Sequence, residues 1–286
     1  MEMPTIIQNP KNVSIFYHSS NKRAVVWSGK IKQWLKKKYP GINITSNKPD
    51  VIIVLGGDGT ILEAAKRYHH ISNPTIFGLN LGNIGYLASV RDPSHFMDSL
   101  TLFFKGQFTI SERMMINVEI VRDNKKIFSE EVLNEVVVQS VLSVVDLEVV
   151  VSGINIRKIR GSGVLIATAT GSTAYNLSAH GPIVMPDIKC LIVTELMDHD
   201  VPTPSIVVKY DKEVVIKVKS FRQKGILSIS KSKKKVDVVL AADGNKIFPL
   251  KQGDVVIIKN SSHLIKLAEM EKNYFFKSLK SNFSVR

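Results

Sequence analysis

The feature that most restricts what this chain can become is a run of five apolar residues, VIIVL at 51–55, followed at once by Gly56-Gly57-Asp58-Gly59-Thr60. A wholly apolar run bounded by Asp50 and Gly56 suits a parallel strand buried on both faces. Its surroundings agree with that expectation. Residues 13–17 (VSIFY) and 75–79 (TIFGL) read as further strands, and residues 42–45 as a short one. Residues 22–38 carry Val26, Ile31, Trp34 and Leu35 at helical spacing and stop at Pro40-Gly41. Residues 61–69 read as a helix, and residues 94–104 as another with Ser94 as its cap. The β-α-β order implies a parallel sheet with right-handed crossovers.

From about Glu112 the period changes. MINVEIV, IFSEEVLNEVVV, DLEVVVSGINI, EVVIKVKS, GILSIS, VDVVLAADG and DVVIIKN are strand-like runs separated by turns rich in Gly, Asn, Asp and Lys. Many short strands at this spacing indicate an all-β layer or sandwich. Residues 263–283 return to helical patterning and read as a tail that docks back on the first domain. A chain of 286 residues is long for one core. The expected plan is an α/β domain over 1–110 with a parallel, Rossmann-like sheet. A β-rich, sandwich-like domain over 111–262 and a helical tail over 263–286 complete it.

No stretch approaches the ~20 apolar residues of a membrane span. The first residues lack the order of a signal peptide, and Cys190 has no second thiol to pair with. A cytoplasmic protein is expected, with neither membrane nor nucleic acid as partner. The formal charge of +14 attracts polyanions and charged small substrates in general. Its local runs, Lys36-Lys37-Lys38 and residues 231–235, read as solvated helix-end and hairpin residues.

Four elements can carry chemistry. In Gly56-Gly57-Asp58-Gly59-Thr60 the glycines let the backbone turn sharply and approach a phosphate, and the following helix offers free N–H groups to an anion. Asp58 would repel a phosphate. It makes sense as a base for a hydroxyl nucleophile, as a metal-linked carboxylate, or simply as a helix cap in a tight turn. No Gly-Lys-Ser/Thr follows, so this is not a Walker loop. The second element, Asn80-Leu81-Gly82-Asn83-Ile84-Gly85-Tyr86-Leu87, follows a strand and would bend on the same carboxyl edge of the sheet, where open α/β folds bind ligands. In the third, Leu133-Asn134-Glu135, a polar pair interrupts an apolar stretch and needs partners or a cleft. The fourth runs through Gly161-Ser162-Gly163 and the strand VLIAT to Ala169-Thr170-Gly171-Ser172-Thr173-Ala174-Tyr175-Asn176-Leu177-Ser178. It reads as a capped helix start whose hydroxyls could meet a sugar and whose Tyr175 could border a flat ring.

GGDGT is shared with diacylglycerol and sphingosine-type lipid kinases and implies phosphoryl transfer to a hydroxyl. GSTAY is far more specific. Together with Asn80 to Leu87 and Asn134-Glu135 in the same order, it makes the chain resemble the NAD kinase family over most of its length. That resemblance implies transfer of a phosphoryl group from ATP or polyphosphate to the 2′-hydroxyl of the adenosine ribose of NAD, with Asp58 as general base. It implies nucleotide contacts from Gly57, Gly59, Thr60 and Asn80, and NAD contacts from Asn134, Glu135, Arg160 and Ser162. Thr173, Ala174, Tyr175, Asn176, Leu177, Ser178 and Asn245 would complete the NAD pocket. Mg²⁺ or another divalent ion would bridge the donor phosphates, and a homodimer or homotetramer would form through the β domain. Four positions depart from the family pattern. Ser162 replaces an aspartate and Ala169 a proline, while Glu63 and Val145 stand where basic side chains are common. The competing readings are a lipid kinase and a nucleotide-binding protein without catalysis.

Overall fold

The computed structural model describes residues 10–82, 85–140, 142–199, 203–222, 227–228 and 235–283. Asn83, Ile84, the basic run at 231–234 and most of the GILSIS strand lie outside the described residues. The chain divides into two units, Met1–Arg113 with His263–Arg286, and Met114–Ser262.

In the first unit, β1 (Asn12–Tyr17), β2 (Asn43–Ile44), β3 (Val51–Gly56) and β4 (Thr75–Asn80) form a parallel sheet in the order β4-β3-β1-β2. Every residue of β3 and β4 is buried. Removing that apolar surface from water is what drives the sheet's core together. Helix α1 (Lys22–Lys38) buries Ala24, Ser28, Ile31 and Leu35, a single stripe at helical spacing. Val26, counted above among its apolar positions, is 58% exposed. The Asn21 side chain caps the start of α1, and three lysines in its last turn complement the helix dipole. Helix α2 (Asp58–Tyr68) follows β3 directly. Helix α3 (Phe96–Phe104) is preceded by a 3₁₀ turn over Pro93–His95, and that turn is capped by Asp92, which accepts from the Ser94 amide at 2.9 Å. Ser94 is therefore not the cap. An aspartate two residues upstream captured the amide first.

The second unit is antiparallel. β5 (Thr109–Arg122) and β6 (Lys125–Val132) form a hairpin about Asp123 and Asn124, both at positive φ. The strand expected over IFSEEVLNEVVV breaks at residues 133–134, and β7 (Glu135–Ser140) starts afresh. DLEVVVSGINI is likewise two strands, β8 (Val145–Val151) and β9 (Ile154–Thr168), turned about Ser152 and Gly153 at positive φ. β9 pairs with β7, with β8 and with β10 (Cys190–Asp198). Gly163, at φ +153°, sits where a Cβ would strike the Val138 carbonyl, so a glycine is required for that approach. β11 (Ile206–Lys209) edges β10, and β12 (Val214–Phe221) joins β8. After the short pair β13 (Leu227–Ser228) and β14 (Lys235–Val236), β15 (Val238–Ala242) lies between β7 and β16 (Lys246–Leu250). Val137, Leu165, Ala167, Cys190 and Ile192 form one core cluster of this unit.

The tail departs from expectation. β17 (Val255–Glu269) continues as a strand through residues 263–269, and only α5 (Tyr274–Phe283) is helical. Lys266 and Leu267 pair in parallel with Thr75 and Ile76 of β4. A strand ladder that buries Ile265, Leu267 and Ala268 outweighs the local helical spacing.

Candidate active site

β3 ends on Gly56, where a side chain would meet that of Thr60. The chain then turns into α2, with Gly57 as N-cap and its carbonyl accepting from the amides of Thr60 and Ile61. Among the described residues no other atom lies within 4 Å of where side chains would be at Gly57 and Gly59, so the turn is open on the side those residues define. Asp58 does not cap its own helix. Its carboxylate accepts instead from the amides of Tyr86 at 2.7 Å and Leu87 at 3.2 Å. Burial pushes the Asp58 carboxyl above its ordinary range. The two amides and the charges of Arg91 and Arg113 pull the other way without cancelling it. A carboxylate so held is oriented, half-buried and more basic than a surface aspartate. Asn80, at the end of β4, accepts from the Gly82 amide at 2.9 Å. A Cβ on Gly82 would lie 3.6 Å from the Gly57 Cα, so the two glycine segments do meet on the carboxyl edge of the sheet.

In the second unit the break at 133–134 is locked from both sides. The Asp243 carboxylate accepts from the amides of Leu133 at 3.0 Å, Asn134 at 2.7 Å and Glu135 at 3.3 Å. The Thr168 hydroxyl donates to the Leu133 carbonyl at 2.6 Å, and the Thr168 amide to the Asn134 carbonyl at 2.9 Å. Gly171 packs so closely on the Asn134 backbone that a Cβ there would overlap the Asn134 carbonyl. Glu135 is buried, and its carboxyl is pushed up to about 8, by burial first and by the neighbouring Asp243 charge second. The Tyr175 amide bonds Glu135 and opposes that rise. Glu135 Oε2 and Thr170 Oγ1 are buried without a hydrogen-bond partner among the described residues. Groups of that kind are costly unless a ligand or water pairs them.

The GSTAY segment is a 3₁₀ turn over Thr170–Thr173 followed by one helical turn, α4 (Tyr175–Ser178), with no side-chain cap. Several of its polar groups are consumed by the fold. The Ser172 hydroxyl bridges the Val184 carbonyl and amide. Asn176 is fully buried, donating to the Ser172 and Pro182 carbonyls and accepting from the Thr194 hydroxyl. The Asn176 side chain therefore braces the turn from inside. Thr173, Ala174 and Leu177 are half-buried, Ser178 is exposed, and the Tyr175 ring is 42% exposed. Arg160 reaches out beside Asp146 at 3.9 Å, Ser162 is half-buried on β9, and Asn245 lies exposed in the turn after Asp243. Glu63 pairs with His18 at 3.1 Å, and Val145 is a buried strand residue.

Three residues that organise the site carry no functional assignment in the sequence reading. Gly85 leaves the space that the Asp58 carboxylate fills, Thr168 ties the 133–134 break, and Asp243 gathers three amides. Only Asp243 gives a local signal, as an aspartate before glycine that adopts positive φ.

Residues 6–108 match the profile of the ATP-NAD kinase N-terminal domain, and residues 133–270 that of the ATP-NAD kinase C-terminal domain. The NAD kinase of Syntrophotalea carbinolica is 35% identical over 81% of this chain and 77% of its own length. That of Lachnospira eligens is 29% identical over 96% and 94%. In fold, the chain is similar to yeast NADH kinase complexed with NADH, with a TM-score of 0.85 at 20% identity over 97% of this chain and 88% of that one. It is also similar to an NAD kinase from Archaeoglobus fulgidus in complex with ATP, with a TM-score of 0.71 at 22% identity over 94% and 98%. With both halves of the sequence matched in order, the chain belongs to the ATP-NAD kinase family.

Proposed function

We propose that this protein phosphorylates the 2′-hydroxyl of the adenosine ribose of NAD at the expense of ATP, and that Asp58 is the general base. The observation that carries this reading is the Asp58 carboxylate, pushed up by burial and aimed by two backbone amides beside an open glycine turn. Phosphoryl transfer asks the protein mainly for positioning and charge stabilisation. Asp58 takes the hydroxyl proton as the ribose oxygen bonds the γ-phosphorus. The bond from that phosphorus to the β–γ bridging oxygen breaks, and ADP leaves. The open space over Gly57 and Gly59, at a helix N-terminus, supports phosphate approach there.

We assign to NAD Asn134 and Glu135, whose amides share the Asp243 carboxylate, and Tyr175, whose amide bonds Glu135. Glu135, protonated near neutrality, offers both a donor and an acceptor to ribose hydroxyls. The half-exposed Tyr175 ring offers an apolar face to a base. Arg160, Ser162, Thr173, Ser178 and Asn245 are assigned as outer contacts of the same ligand. Among the described residues the glycine turn offers a single carboxylate, Asp58, already bonded to two amides, and Glu63 is paired with His18. We therefore place the divalent metal on the phosphates of ATP, whose charge it would neutralise. Among the described residues no helix is long and apolar enough to cross a membrane. We assign the enzyme to the cytoplasm and to a homo-oligomer.

Purified protein given NAD, ATP and Mg²⁺ should yield NADP, and polyphosphate in place of ATP reads the donor range. Asp58→Asn should abolish turnover while leaving NAD affinity intact by calorimetry. Absence of NADP from folded wild-type protein, or wild-type rates in the variant, would overturn the assignment.

A further inference from the structure

The segment that presents amides to Asp58 is fastened at its far end. Arg91, four residues after Leu87, donates from Nε to the Tyr274 hydroxyl at 3.4 Å and from Nη1 to the Ser281 hydroxyl at 3.3 Å. Its Nη2 makes a short contact with the Ser278 hydroxyl. The guanidinium also lies over the Tyr274 ring, 4.8 Å from its centroid. All three hydroxyls belong to α5. Ser278 and Tyr274 are buried, and the Tyr86 ring approaches Phe275 at 6.2 Å. Between the two ends, the Ser89 hydroxyl donates to the Ala268 carbonyl at 2.5 Å and accepts from the Gly78 amide at 3.0 Å. No carboxylate among the described residues forms an ion pair with Arg91, so its charge is left to act on the base.

We propose that Arg91 is a positioning residue for Asp58: by gripping three hydroxyls of α5 it holds residues 85–91 so that the amides of Tyr86 and Leu87 stay aimed at the carboxylate. The inference rests on Asp58 being the base. A planar guanidinium presents five donors in a fixed fork, and a lysine ammonium cannot reproduce that three-way grip. The charges that act on Asp58 are Arg91 and Arg113, with Arg113 itself paired to Glu269 at 3.1 Å, while the Asp58 charge in turn helps push the Tyr274 hydroxyl up. Arg91 holds the Asp58 pKa down. Without that charge the carboxyl rises further, and the acid limb of the rate profile moves to higher pH.

The test compares kcat, KM and pH–rate profiles of the wild type, Arg91→Met and Arg91→Lys. Arg91→Met should lose about 10- to 100-fold in kcat, the scale of an ångström misplacement. KM for NAD and ATP should stay near wild type, and the acid limb should shift upward. Arg91→Lys should lose kcat yet keep the limb in place. Tyr274→Phe and Ser281→Ala each remove one grip and should lower kcat less, in the same sense. They decide the matter if Arg91→Met does not fold. Wild-type kcat and limb in folded Arg91→Met, or in both single-grip variants, would overturn the proposal. A raised KM at unchanged kcat would also do so, making Arg91 a substrate contact. Asp58→Asn measured alongside separates the two ideas. If it turns over normally, the base assignment fails. If it is inactive while Arg91→Met behaves as wild type, only the positioning role fails.

Discussion

Gly85→Ala tests the geometry of the base without touching its chemistry. A Cβ at residue 85 would stand 2.5 Å from Asp58 Oδ2 and closer still to Cγ and Oδ1. Carbon needs about 3.5 Å from such a neighbour, so the carboxylate or the segment must retreat by roughly 1 Å. That retreat loosens the bonds from Tyr86 and Leu87, each of the class that contributes ~1.5–3 kcal/mol when a charge is involved. It also misplaces the atom that must meet the ribose proton. A shift of about 1 Å corresponds to a loss near 100-fold in kcat, or about 2.7 kcal/mol in the barrier. The assay is initial-rate NADP formation, with circular dichroism for the fold and calorimetry for NAD. The NAD residues proposed at 134, 135 and 175 lie outside this segment, so affinity should hold while kcat falls. A folded Gly85→Ala enzyme with near wild-type kcat would refute the reasoning.

Gly171→Ala drives a methyl group into the Asn134 carbonyl, which should cost about 1–3 kcal/mol of stability and weaken NAD binding together, read by thermal melting and calorimetry. An unchanged melt would show that the turn has slack. Burial and the neighbouring Asp243 charge push the Glu135 carboxyl up to about 8 in the folded protein, from an ordinary value of 4.5. Its contribution to stability is therefore complete below about 4.5 and is lost as pH rises through about 8. Glu135→Gln should flatten the fall in unfolding free energy across that window in urea titrations, and an unaltered slope would remove Glu135 as its source.

How far the sequence announces this structure depends on how local each cause is. The parallel core was legible because VIIVL and TIFGL contain too little polar surface for anything but a strand covered on both faces. The glycine turn was legible for the same reason, since three glycines around one aspartate between strand and helix leave few conformations. The path of residues 263–269 was not, because its strand identity comes from pairing with β4, nearly two hundred residues earlier. Ser94 lost the capping role to Asp92 by two residues, within the usual uncertainty of helix ends. The internal use of Asn176 also escaped, since its partners at Pro182 and Thr194 are set by the tertiary fold. Gly85 and Asp243 show the same limit at the site itself. Each acts on residues 27 and about 110 positions away respectively, and nothing in the local sequence reports that reach.

The order of the chain has a consequence for its synthesis. The sheet that bears Asp58 takes its last parallel neighbour from Lys266 and Leu267, and the grip on the base segment comes from residues 274–281. The whole antiparallel unit lies between those residues and the GGDGT turn in the order of translation. The first domain to leave the ribosome is thus the last to be finished, and must wait with β4 unpaired on one edge. A nascent chain released before residue 266 carries an intact GGDGT turn but neither that edge strand nor the Arg91 partners, so premature termination yields no half-active kinase.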